Sequence, residues 1–232
     1  MDAMSPLPSP LLAPVPALVH GFGRRVPGSR AVAREAAQAM FADAGHVYFL
    51  RQVHGCRVVT PPWEEPPDAD ASSTDEAGAL LAIETADCLP VLIVDPVAHR
   101  VAAAHAGWRG TAARVASAAV DALTRAGSSV KDLRVALGPS IGPCCYEVGP
   151  DVAEAFGAAN GRFFSPGGGD RMLLDVAAAN RAQLEEAGVP SSSIDHVDLC
   201  TRCRGDLFFS YRRDGANAGR MISVIGFSRP SA

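Results

Sequence analysis

The chain has 232 residues, 48% of them hydrophobic and 20% charged, enough to bury the core of one large domain. A net charge of −4 and a pI near 5.8 exclude a polybasic surface, so neither nucleic acid nor an anionic membrane is an expected partner. Six cysteines are too few for a disulfide scaffold at this length and point to a reducing, cytoplasmic compartment.

Residues 1–17 hold five prolines and no basic stretch ahead of their apolar residues. They read as an extended, mobile leader and not as a signal peptide or membrane span, with one domain over residues 18–232. HGFGRRVPGSR (20–30) is a Gly-rich basic loop, and residues 31–45 have helical composition closing at Gly45. Strands are expected at 47–51 and 57–60, around a turn carrying His54. The acidic, Pro-rich segment 61–78 reads as a solvated loop, and 79–84 as another strand.

The stretch 85–110, TADCLPVLIVDPVAHRVAAAHAGWRG, organises the rest. Its two apolar runs, 89–94 and 101–104, read as buried strands joined by a turn over DPVAHR. An antiparallel pairing brings Cys88 and His105, at the outer ends of this hairpin, to one sheet edge. Beyond it, residues 110–127 have helical spacing, and LRVALGPS (133–140) is a strand running into the loop IGPCCYEVGP. Pro150 opens a helix and Asp175 caps another, over 176–188. IDHVDL, LFFSYRR and RMISVIGF read as closing strands. The fold class is α/β, a single domain of mixed, mostly antiparallel strands covered by helices.

Three residues in this pattern bear on metal chemistry. His54, Cys88 and His105 each sit at a strand end or turn, and a two-His, one-Cys set suits zinc with one position open for water or substrate. Taken singly, each has an ordinary reading, a small core cysteine or a satisfied polar histidine. Arg24, Arg25, Arg51, Arg109, Arg212 and Arg213 lie in Gly-rich or strand-end contexts, and guanidinium groups gathered near a metal would bind an anion. On a strand only one of Arg212 and Arg213 can face inward. Cys144 and Cys145 read as inert loop cysteines. Cys200 and Cys203 are half a zinc ribbon without the βαβ setting of a redox motif, and no essential disulfide is expected among the four.

Several ordered strings are similar to one family: RQVHG (51–55), TADCLPVLIVD (85–95), VAAAHAGWRG (101–110), LGPSIGPCCYEVG (137–149), CT (200–201), FFSYRRDG (208–215) and GRM (219–221). The chain resembles the bacterial YfiH-type family, whose members carry the names polyphenol oxidase or multicopper laccase, purine nucleoside phosphorylase and peptidoglycan editing factor. The resemblance implies a β-sandwich flanked by helices, with His54, Cys88 and His105 as zinc ligands. It also implies phosphorolysis of adenosine, inosine and S-methyl-5′-thioadenosine, with an adenosine deaminase side activity. The chain departs from the family's pattern after Arg25, where a Gly-rich loop is shortened, and that puts substrate range in question.

On this reading Cys88, His105, Asp87 and Arg109 are the candidate catalytic residues. Arg25, Arg51, Gln52, Arg109 and Arg213 are the candidates for holding substrate and phosphate. Asp87 is the candidate proton shuttle for deamination, and its alternative role is to cap a turn. Two other functions were weighed. A multicopper oxidase needs many imidazoles, partly as H-x-H pairs, whereas this chain has six histidines and no such pair, although copper could displace zinc adventitiously. A cysteine hydrolase editing cell-wall precursors would use Cys88 as nucleophile and His105 as base.

Overall fold

The computed structural model describes residues 5–230, the side chains of 158–160 excepted. Strands β1 to β5 are Leu18–Gly21, His46–Tyr48, Val58–Val59, Ala71–Thr74 and Ala79–Thr85. Strands β6 to β9 are Leu89–Asp95, Arg100–Ala106, Arg134–Leu137 and Glu147–Val148, and β10 to β13 are Phe164–Pro166, Met172–Leu174, Ile194–His196 and Met221–Phe227. Helices α1 to α6 are Arg30–Met40, Trp108–Ala112, Val115–Arg125, Pro150–Phe156, Val176–Glu186 and Tyr211–Asp214.

Strands β5 and β6 are buried at every position, so each face of their sheets must be covered. Because side chains alternate, Leu89, Val91 and Ile93 pack on α3 and α5, through residues such as Val120, Leu123 and Leu184. Leu92 and Val94 point the other way, onto Leu81 and Ile83 of β5 and Ile225 and Phe227 of β13. The outer face of that second sheet, at Leu80, Ala82 and Val224, is covered by Ala33 and Ala37 of α1. The result is four layers: α1, a sheet ordered β1-β13-β5-β2, a sheet ordered β12-β8-β6-β7-β4-β3, and the α3/α5 pair. A small third sheet, β10-β11-β9, flanks them. Most pairings are antiparallel; β2–β5, β3–β4 and β8–β12 are parallel.

The central hairpin forms in the expected register, with Pro90 opposite His105 and Leu89 opposite Ala106. Asp175 caps α5 by accepting from the Ala178 N–H at 2.8 Å, and Ser29 caps α1. The helix expected over 110–127 is two helices, because Arg114 takes a left-handed φ of 62° between them.

Other expectations are corrected. The described part of the Pro-rich leader is packed and not free. Leu7 and Phe22 exchange backbone hydrogen bonds at 2.8 Å, and Leu12 and Val15 are buried in the core between the sheets. Residues 1–4 of that leader lie outside the described residues. The segment read as a solvated loop contains β4, whose four residues are all buried; small Ala, Ser and Thr side chains fit closely against the alanines of β7. LFFSYRR is a turn and the short helix α6, since Ser210 caps it by accepting from the Arg213 N–H at 3.2 Å.

Candidate metal centre and adjoining cavity

The hairpin delivers Cys88 from just before β6 and His105 from the end of β7. His54 arrives from the turn after β2 with a left-handed φ of 63°, a conformation that non-glycine residues seldom adopt and that turns its side chain toward the other two. The ligand atoms of His54, Cys88 and His105 all lie within 4.8 Å of one another, and the two imidazoles meet edge to face at 4.9 Å. His105 is buried, Cys88 half-buried and His54 exposed, so the set opens toward solvent on one side.

Asp70, a residue the sequence did not single out, ties the centre together. Its Oδ2 accepts from the backbone N–H groups of Val53 at 3.1 Å and Gly55 at 2.7 Å. Its Oδ1 accepts from the His54 N–H at 2.9 Å and lies 2.8 Å from His105 Nδ1. One buried carboxylate therefore holds the turn that carries His54 and occupies one nitrogen of His105, leaving Nε2 for the centre. Burial works against a charged Asp70, but His105 and the N–H groups of Gly55 and His54 outweigh it and hold the carboxyl below its ordinary range.

The electrostatics favour a thiolate. Burial pushes the Cys88 thiol up, yet the charge of His105 and hydrogen bonds from both imidazoles bring it down to about 6. Burial likewise opposes a charged His105, and the Cys88 thiolate with Asp70 raises it to about 9. Gly107 completes the fit: a Cβ there would stand 2.9 Å from Cys88 Sγ and 3.2 Å from His54 Cδ2. Two imidazoles, a thiolate and a carboxylate behind one imidazole form a donor set suited to zinc with an open position.

A cavity of about 510 Å³ opens onto the three residues, within the range of small-molecule sites. Gln52, Asp87 and Arg109 line it, together with Arg30, Glu84, Trp108, Tyr146, Tyr211, Arg212 and Arg220. Gln52 clasps the end of β5 in both directions, its Nε2 donating to the Glu84 carbonyl and its Oε1 accepting from the Glu84 N–H, each at 2.8 Å. Arg109 stacks over Trp108 at 4.2 Å, and Arg212 donates to the Glu147 carbonyl at 2.7 Å. Among the described residues neither Arg109, Arg212 nor Arg220 has a carboxylate partner. Burial raises the Tyr146 hydroxyl above its ordinary range, reinforced by the neighbouring Cys88, so the phenol stays protonated.

Three of the expected anion ligands do not line the cavity. Arg25 donates to the Gly205 carbonyl at 2.6 Å and lies over Phe209. Arg51 is exposed and paired with Asp68. Arg213 is spent on Asp214 and on the carbonyls of Thr201, Arg202 and Phe208. Arg24, also named from its context, is absent from the lining, where Arg30 and Arg220 are present.

Asp87 does not have a free carboxylate. Its Oδ1 accepts from Thr201 Oγ1 at 2.6 Å and its Oδ2 from Ser210 Oγ at 3.0 Å and the Arg212 N–H at 2.7 Å. That is a structural anchor, held at a φ of 92°, and it matches the turn-capping alternative better than the proton shuttle.

The family described as "Multi-copper polyphenol oxidoreductase laccase" matches residues 27–228. The chain is 38% identical over 205 residues to "Adenosine deaminase RL5" from an unknown prokaryotic organism, covering 82% of this chain and 78% of that one. It is 45% identical over 168 residues to "Purine nucleoside phosphorylase YlmD" of Geobacillus stearothermophilus, covering 69% of this chain and 60% of that one. The crystal structure of YlmD from Geobacillus stearothermophilus superposes with a TM-score of 0.85 at 33% identity, covering 93% of this chain and 94% of that one.

Proposed function

The chain belongs to the multi-copper polyphenol oxidoreductase laccase family, and from that premise we propose that it is a zinc-dependent purine nucleoside phosphorylase. Its substrates in this reading are adenosine, inosine and S-methyl-5′-thioadenosine. The observation that carries it is the charge of the cavity. In a chain of net charge −4, four arginines face it against two carboxylates, Glu84 and Asp87. Both carboxylates are already engaged, Glu84 by Arg30 and Arg34. A cavity that presents unpaired guanidinium groups beside a neutral phenol and two aromatic rings suits a phosphate and a purine together.

Arg109, Arg212 and Arg220 bind the phosphate dianion by charge-assisted hydrogen bonds and orient one of its oxygens toward the ribose C1′. The exposed ring of Tyr211 at the cavity rim offers a face for the purine. The C1′–N9 bond breaks as the C1′–O bond to phosphate forms, and the purine leaves with the glycosidic electron pair. The protonated Tyr146 hydroxyl is placed to donate a hydrogen bond within the cavity as charge develops. His54, Cys88 and His105 would hold zinc, which when bound supplies a Lewis acid to an oxygen of phosphate or water. Adenosine deamination is the lesser activity in this reading, because no lining carboxylate is free to relay a proton.

A multicopper centre fits poorly. The chain has six histidines, and among the described residues only His54 and His105 share a group that could hold a metal. One feature does favour the cysteine hydrolase: Cys88, His105 and Asp70 form a nucleophile–base–carboxylate series. A second imidazole on the same thiolate has no part in such a series, and that weighs for the metal site.

The test is product identification by mass, with adenosine or inosine, in buffers with and without phosphate. Saturable dependence on phosphate and release of ribose 1-phosphate is the expected result, with Arg109→Ala or Arg212→Ala lowering kcat/KM at least about tenfold. Free ribose at an unchanged rate without phosphate would reject the phosphorylase in favour of a hydrolase.

A further inference from the structure

Four cysteines take no part in the centre above, yet the topology gathers them. Strands β8 and β12 are parallel neighbours, with Leu137 opposite His196, so the loops after them leave from the same sheet edge. A bridge between Ser140 and Cys200 prolongs the pairing, the Thr201 N–H donating to the Ser140 carbonyl at 3.0 Å. One loop carries Cys144 and Cys145 on a turn, where successive side chains can converge as they cannot on a strand. The other carries Cys200 and Cys203.

The sulfur atoms of Cys144, Cys145, Cys200 and Cys203 all lie within 4.8 Å of one another. Cys144 is 3.7 Å from Cys145 and 3.8 Å from Cys203, and Cys145 is 3.4 Å from Cys203. A disulfide needs about 2.05 Å, and all six cysteines are free thiols. Four thiolates set tetrahedrally around one ion at about 2.3 Å would stand about 3.8 Å apart. Donors compensate the sulfur charge: the Gly142 N–H reaches Cys200 Sγ at 3.3 Å and the Arg202 guanidinium reaches Cys145 Sγ at 3.4 Å.

We propose that Cys144, Cys145, Cys200 and Cys203 form a second, closed metal site, a tetrathiolate holding a single structural zinc ion. Four protein ligands leave no open position, which separates it from the three-ligand centre. Spacing suited to one ion argues against an iron–sulfur cluster, where the thiolates sit on different irons. The site would staple two loops that form one wall of the cavity. Ile141 and Tyr146 line that cavity from the first loop, and Thr201 of the second donates to Asp87.

The experiment is elemental analysis of the full chain, expressed with zinc supplementation, alongside Cys200→Ser/Cys203→Ser and Cys88→Ala. The parent should hold about two zinc ions per chain and each variant about one. As a check independent of the folding of the double variant, Cys88→Ala is also loaded with cobalt, and the four-cysteine site should then give thiolate-to-cobalt charge-transfer absorption. Zinc content unchanged by Cys200→Ser/Cys203→Ser, iron with cluster absorption, a native mass lower by a disulfide's two hydrogens, or Cys88→Ala without charge-transfer bands would each overturn the proposal. Loss of nucleoside cleavage alone would not bear on it, since the readouts are metal content and spectrum.

Discussion

Asp70→Asn is the most informative single change, because each Asp70 oxygen accepts two hydrogen bonds in a place without solvent. Oδ1 serves the His54 N–H and His105 Nδ1; Oδ2 serves the N–H groups of Val53 and Gly55. The side chain is 0% exposed. Asparagine keeps the shape but replaces one oxygen by an NH₂, which can only donate. Whichever way the amide turns, two of the four donors then face a donor. If the NH₂ takes the Oδ2 place, the Val53 and Gly55 N–H groups are orphaned, each costing about 1–3 kcal/mol. If it takes the Oδ1 place, the His54 N–H is orphaned, and His105 must move its proton to Nε2, the nitrogen that faces Cys88.

The first orientation predicts a loss of about 2–6 kcal/mol, two orphaned donors at that cost each, a large share of the 5–15 kcal/mol typical of a domain. The second predicts a smaller loss of stability but zinc affinity lower by about 10–100-fold, the usual effect of losing a histidine's orienting partner. Urea unfolding with and without a chelator, combined with zinc competition, separates the two. An Asn variant within about 0.5 kcal/mol of the parent, with zinc affinity intact, would refute the reasoning.

Gly107→Ala should leave the fold intact, since a φ of −72° suits alanine, while its Cβ crowds Cys88 Sγ at 2.9 Å. A fall in zinc affinity of at least about tenfold without a change in the circular dichroism spectrum is the expected result. Glu84 is depressed because Arg30 and Arg34 outweigh the upward push of its burial. Its contribution is therefore present above its ordinary value of 4.5 and lost as pH falls through the folded value; Glu84→Gln should flatten the dependence of unfolding free energy on pH below 4.5. Ile93→Ala removes a side chain packed between its sheet and the α3/α5 pair and should cost about 2–5 kcal/mol by denaturant titration, with metal content unchanged.

What could be read from the sequence was what depends on near neighbours in the chain. Cys88 and His105 bracket one hairpin, so alternation and a turn sufficed to bring them together. The Asp175 cap and Pro150 at the start of α4 are equally local. Asp70 was hidden because it stands in an acidic, Pro-rich stretch that looks solvated, although the small residues that follow it, ASST, were a signal for a tightly packed strand. Which arginines line the cavity was hidden for a different reason. Arg30, Arg212 and Arg220 come from α1, α6 and the residue before β13, and only tertiary packing decides that they converge while Arg25, Arg51 and Arg213 find partners elsewhere. LFFSYRR misled because Phe208 and Phe209 are buried against Met221 in a small cluster of their own, with no sheet neighbour to continue.

Asp87 shows how the separate pieces become one device. It precedes Cys88, and its left-handed backbone turns the chain between β5 and β6 so that its carbonyl accepts from the Ile141 N–H at 2.9 Å. Its carboxylate reaches Thr201 on the loop after β12, and Ser210 and the Arg212 N–H at the start of α6. One residue thus links the strand that follows Cys88, both cysteine-bearing loops and an arginine that faces the cavity, its carbonyl serving the first loop and its carboxylate the rest. Burying a carboxylate costs free energy that is recovered only when its hydrogen bonds are all made. The demand for complete satisfaction at Asp87 therefore fixes the distance between the His54, Cys88 and His105 group and Arg212, which a substrate spanning the two would require.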